Sequence, residues 1–298
     1  MEMMLKRRSV TLAASAILVL ASVTTGPSAA AGLGGSHLSS ATEVDMNAPN
    51  SGTVPDTRPV GVEQPRPTDL NHATWGLEPN SGAGQDGMIS LHTVYPNLGI
   101  GTEHGEFLYA PTMKPAHSCI EMTTVYGQPA GASLWAWDWC RSTPGPARTA
   151  VVADSSFLPV YTKPAPTGNG RAYLVRIQRT NPAANTWTAS LFNYKTAVWN
   201  LFYTSSGTPD PNGNPDLGWD IFEAYSTVDP QTGDGYYCAS LANTRFDSTN
   251  IRLLDGTSNT AATASNSSYV STGGPFFCPR LSFTVADSYN SWTVYGGA

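Results

Sequence analysis

From about Gly105 to the C-terminus, apolar residues come in short runs separated by clusters of Gly, Pro, Asn and Asp. Runs such as "FLYAP", "SCIEMTTVY", "AYLVRIQR", "TWTASLFNY" and "RLSFTV" are rich in β-branched and aromatic residues, and none repeats its apolar positions at helical spacing. That pattern predicts strands and turns. The middle is clearest. "RAYLVRIQR", "TWTASLFN" and "VWNLFYTSSG", linked by the polar "NPAAN" and "YKTA", read as a meander. The expected fold is all-β: a single antiparallel β-sandwich or jelly roll of about ten to twelve strands.

Strand alternation then distributes the unusual side chains. In "LGWDIFEAYS", Trp219, Ile221, Glu223 and Tyr225 share one face, and Asp220 and Phe222 share the other. "SCIEMTTVY" and "ASLWAWDWC" are joined by the turn-forming "GQPAG" and read as a hairpin. Pairing Tyr126 with Ser133 sets Cys119 opposite Cys140 and Glu121 opposite Asp138. Carboxyl groups that close resist joint ionisation, so one holds its proton more tightly, the basis of an acid/base pair. Trp135, Trp137 and Trp139 fall on the opposite face, as core or, if exposed, as a ligand platform.

Elsewhere the strand pattern is absent. Residues 1–30 run from a basic start through the apolar "VTLAASAILVLASV" to small residues with an A-x-A pattern near Ala31, the order of a secretory signal peptide. Residues 31–86 are poor in apolar side chains and are expected to be a disordered linker or a removable propeptide. The β-sandwich domain is expected over 87–298, with "MISLHTVYP" its first strand or an edge peptide. "TSNTAATASNSSYVSTGG" reads as a long loop.

Composition narrows the chemistry. Charged residues make up 13% and the net charge is −6, which gives no footprint for nucleic acid or a membrane surface. All four cysteines follow the leader, so two disulfides are expected, Cys119–Cys140 from the hairpin and Cys238–Cys278 by elimination. The chain contains no G-x-S-x-G, H-E-x-x-H or phosphate-cradling P-loop. Neither the histidines His92, His104 and His117 nor the "DPNGNPDLGWD" segment has the spacing of a known metal site. No metal or cofactor is implied. The expected protein is a secreted, extracellular monomer.

"WDIFEAYS" and "TWTASLFN" resemble strands of the concanavalin A-like lectin and glucanase sandwiches, which set acids on cleft-facing strands beside tryptophans. A second resemblance is to the glutamic peptidases, including the neprosin-like group, which are secreted β-sandwiches with strand-borne glutamates. There, Glu121 in "CIEMTTVYG" and Glu223 in "GWDIFEAYS" are the matching pair.

Three functions follow. The first is a secreted protein that binds extracellular polysaccharide through Trp219, Tyr225, Trp135 and Trp137 and, if it also hydrolyses it, uses Glu223, Glu121 and Asp138 as catalytic groups. The second is an acid-active peptidase acting on protein through Glu121 and Glu223. The third is a non-catalytic surface or inhibitor protein whose acids are structural.

Overall fold

A computed structural model of the chain describes residues 44–55, 70–101, 103–127, 131–143, 145–205, 207, 217–286 and 288–298. The expected leader, its cleavage site and most of the "DPNGNPDLGWD" segment lie outside the described residues, so neither expectation is addressed by the fold.

The described chain forms a two-sheet β-sandwich. One sheet has seven strands, in the order β15 (Ser267–Gly273), β2 (Asn71–Pro79), β12 (Trp219–Ser226), β4 (Phe107–Lys114), β5 (Ile120–Tyr126), β6 (Ser133–Asp138) and β7 (Gly145–Val151). The other runs β1 (Asn50–Thr53), β11 (Val198–Thr204), β10 (Thr186–Asn193), β9 (Arg171–Asn181), β3 (Gly87–Val94), β13 (Arg245–Asp255), β17 (Trp292–Gly296) and β16 (Leu281–Val285). Two short strands join it off this path, β8 (Lys163–Pro164) on β9 and β14 (Ser258–Ala261) on β13. The pairing is antiparallel as expected, except that β1 runs parallel to β11. Among the described residues helix is confined to two short turns, α1 (Leu158–Tyr161) and a 3-10 turn at Cys238–Leu241.

The core between the sheets is built by the alternation the sequence carries. Met122, Tyr126 and Phe222 from the smaller sheet meet Tyr173, Val175, Ile177 and Trp187 from the larger one. Burying each of these large side chains stabilises the fold by about 1.5–3 kcal/mol. A second cluster, with Leu91, Leu174, Phe192 and Trp199, lies on the outer face of the larger sheet, covered by Val44, Met46 and Ala48.

Three expectations change. Asn71–Pro79 falls in the segment read as linker, yet it pairs along its length with both β12 and β15. The β-sandwich therefore begins well before residue 87. The supposed long loop at 257–274 contains β14 and β15. Both are largely solvent-facing and polar, so they lack the apolar alternation that marks a half-buried strand.

The third change is the hairpin register. Glu121 pairs with Trp137, and Ile120 with Asp138, one residue from the expected alignment. Both disulfides form as expected, Cys119–Cys140 and Cys238–Cys278. The first is compatible with the shifted register because the chain turns after Asp138. Trp139 N donates to Cys119 O (2.8 Å), Cys140 N donates to Asp138 Oδ1 (2.9 Å), and Cys140 is carried back over Cys119. A one-residue slip reverses every side chain, so Asp138 goes to the core and the tryptophans join Glu121.

Candidate active site

The outer face of the seven-stranded sheet holds a cleft of about 300 Å³, lined by Glu121, Glu223, Trp137, Trp139, Trp219, Tyr225 and neighbouring side chains. Its floor follows from strand parity. On β12, Trp219, Ile221, Glu223 and Tyr225 face outward, while Asp220, Phe222 and Ala224 face the core. On β5, Glu121 faces outward and Ile120 and Met122 face inward. Strand β4 separates the two, with Ile221 opposite Thr112 and Thr112 opposite Thr123. The two glutamates thus rise from the same sheet face, on either side of one intervening strand.

Glu121 is 5% exposed and accepts from three side chains. Thr112 Oγ1 donates to Oε1 at 2.5 Å, Trp219 Nε1 donates to Oε1 at 3.2 Å, and Trp139 Nε1 donates to Oε2 at 2.9 Å. Each donor favours the ionised form. Burial and then the nearby Glu223 oppose it and prevail, and the Glu121 carboxyl is pushed up to about 7. It therefore keeps its proton in weakly acidic solution.

Glu223 is held differently. Tyr225 OH donates to Oε1 at 2.6 Å, and His72 Nε2 lies 2.6 Å from the same oxygen. The His72 and Tyr225 rings stack at 4.2 Å, and Phe107 stacks on the other side of Tyr225 at 4.3 Å. This column fixes the carboxylate through one oxygen. Strand β2 brings His72 and Thr74 to this end of the cleft, and Glu78 to the other. Between them Gly76, at φ +155°, leaves no room for a side chain: a Cβ there would sit 2.6 Å from Ile221 Cα.

Of the residues expected at the site, Glu121, Glu223, Trp219, Tyr225 and Trp137 line the cleft. Asp138 does not. It is fully buried between the sheets, accepting from Tyr203 OH at 2.7 Å and from Cys140 N, because the register slip turned it inward. Trp135 shares the cleft face but is 7% exposed and packs beside Tyr109, at its margin. Asp220 is also enclosed, bonded to Ser248, Trp292 and His92. Among the described residues no group of three or more His, Cys, Asp or Glu could hold a metal ion.

Trp139, the third indole of the expected platform, also lines the cleft, whereas His72, Thr112 and Tyr109 join the site without a sequence expectation. "HATWGLE" does carry a signal, since Ala73, Trp75 and Leu77 alternate with His72, Thr74 and Glu78.

No family model and no curated protein sequence matches the chain. Among solved structures it is similar to scytalidoglutamic peptidase, determined with a peptide-based transition-state analogue, at 9% identity and a TM-score of 0.44. It is also similar to SCP-B, a member of the eqolisin family of peptidases in complex with a tripeptide, at 7% identity and a TM-score of 0.43. Each alignment covers 76% of this chain and 100% of the other. These structural neighbours are glutamic peptidases.

Proposed function

We propose that the protein is an acid-active peptidase whose chemistry is carried by Glu121 and Glu223. The observation that supports this is the pair itself. Two glutamates about a hundred residues apart in sequence open into one aromatic-lined cleft, and one of them keeps its proton to about 7.

We assign the roles from the proton that Glu121 retains. Glu223 takes a proton from water as the water oxygen attacks the carbonyl carbon of the scissile peptide. Glu121 gives its proton to the carbonyl oxygen, which neutralises the developing negative charge. When the resulting gem-diol collapses, the C–N bond breaks, the departing nitrogen takes the proton held by Glu223, and a hydroxyl proton returns to Glu121. Both carboxyls end as they began. Both carboxyls open into one cleft, and Glu223 is near enough to raise the Glu121 carboxyl, so a peptide carbonyl lying between them can meet both. The expectation of polysaccharide binding has no observation of its own, because the same indoles accommodate apolar peptide side chains. Two disulfides support an oxidising, extracellular location.

The test is cleavage of unfolded proteins between pH 3 and 7 in the presence of pepstatin. Wild-type protein is expected to cleave. Glu121→Gln and Glu223→Gln are each expected to lose about 10³-fold in kcat. Folded wild-type protein that releases reducing sugar from glycans and cleaves no polypeptide would overturn the proposal.

A further inference from the structure

We propose that Glu78 makes the cleft select substrates that carry a positive charge on one side of the scissile bond, with apolar or aromatic residues on the indoles between. The inference rests on the peptidase reading and extends it to substrate class.

The three cleft glutamates differ in what the protein provides for them. Glu121 has three side-chain donors, and Glu223 has Tyr225 and the His72 ring. Glu78 lines the same cleft and is half-buried, yet among the described residues its carboxyl has no hydrogen-bond or ion-pair partner. Burial alone pushes its carboxyl above the usual range. A cationic group arriving with a ligand would offset that desolvation.

Among the described residues no cationic side chain reaches Glu78. The cleft lining contains His72 at the opposite end of β2 and no lysine or arginine. Lys114 lies nearby but is fully buried, its Nζ 5.1 Å from the Trp219 ring centroid and donating to Leu217 O at 3.2 Å. The cleft is therefore acidic and aromatic, and its complement is an apolar chain with a positive charge.

Sheet geometry sets where the charge falls. Asp220 pairs with Leu77, so Glu78 lies beside Trp219, with Ser268 on its other side. Trp219 pairs with Lys114 on β4, and the next strand over is β5, which carries Glu121. Three strand spacings separate Glu78 from Glu121 at the backbone, roughly 14 Å. Four residues of β2 separate Glu78 from Thr74, the partner of Glu223, or about 13 Å. An extended peptide advances about 3.3 Å per residue, and a basic side chain adds reach. The positive charge is expected roughly two to four residues from the bond cleaved.

The experiment uses quenched fluorescent peptides with an aromatic residue near the scissile bond and, at each of the next four positions, either lysine or its uncharged near-isostere norleucine. Acetylated and free N-termini distinguish a basic side chain from a terminal amine. For wild-type protein, kcat/KM for the best lysine peptide is expected to exceed that of its norleucine counterpart by about tenfold at low salt. In Glu78→Gln this ratio is expected to fall close to one, and in Glu78→Lys below one. A wild-type ratio of one at every position, or a preference that survives Glu78→Gln, would overturn the proposal. Binding of the same peptides to Glu223→Gln, with and without Glu78→Gln, separates the two readings. Glu78-dependent binding of cationic peptides that wild-type protein never cleaves would sink the peptidase and keep the cation site. Equal binding of lysine and norleucine peptides would sink the cation site alone.

Discussion

The two sheets turn opposite outer faces to their surroundings. On the larger sheet, Ile89, Leu91, Leu174 and Trp199 make that face apolar, and the chain covers it with its own residues 44–48. Arg176 lies over the Trp199 ring and donates to Asn50, which ties down the chain just after the covering residues. On the smaller sheet, the corresponding face carries Glu121, Glu223 and Glu78 among indoles and phenols, and it opens into a cleft. Both faces are rich in large side chains. What separates them is polarity: an apolar face gains by being covered, whereas a face bearing carboxylates and indole N–H groups loses hydration when covered without partners. One face therefore contributes to stability and the other is available for chemistry.

The contrast can be broken first from the covered side. Trp199→Ala is expected to destabilise the fold by about 3–5 kcal/mol, because it empties a site enclosed by Phe192 and Arg176. Chemical denaturation reads the loss, and turnover per folded molecule should be unchanged. A stability loss under 1 kcal/mol would mean that residues 44–48 do not seal that face in solution.

The next effect comes from the open side. The folded-state Glu121 carboxyl is raised from the ordinary glutamate value of 4.5 to about 7, so the folded protein binds this proton more tightly than the unfolded chain does. The associated stability is fully present below pH 4.5 and is lost as pH rises to 7, on the order of 3 kcal/mol in all. Glu121→Gln should flatten that part of the pH–stability curve. Wild-type stability that rises steadily from pH 4.5 to 7, with the variant following it, would contradict the burial argument.

A smaller effect is expected from Tyr225→Phe, which removes the hydroxyl donated to Glu223 Oε1 but keeps the ring stacked between His72 and Phe107. A drop of about tenfold in kcat with KM little changed fits loss of a single hydrogen bond to the carboxylate. An unchanged kcat would mean that the His72 column holds Glu223 without help.

Strand parity made part of this legible in advance. "WDIFEAYS" sends Glu223 to one face and Asp220 to the other, and that is what the fold does. Two things hid the rest. The hairpin "SCIEMTTVYGQPAGASLWAWDWC" offers pairings one residue apart that both bring Cys119 near Cys140, and only the turn after Asp138 separates them. The slip decides whether Glu121 has Asp138 or Trp137 beside it. The other obstacle was context. The alternation in "HATWGLE" lies next to Pro- and Gly-rich sequence, and its partner β15 is a polar edge strand, so neither stood out by composition. His72 went unnoticed for that reason, since its role depends on a strand pairing with partners about 150 and 200 residues away.

Strand β2 also fixes how little of the chain can be taken away. It lies between β12 and β15, so a fragment beginning at residue 87 would expose the backbone N–H and C=O groups of both neighbours at once. One of these neighbours is the strand that carries Glu223. Unpaired edges invite pairing with other chains. Trimming the N-terminus past Asn71 would therefore yield a self-associating species rather than a smaller folded protein, and any processing that preserves the fold must cut before that residue.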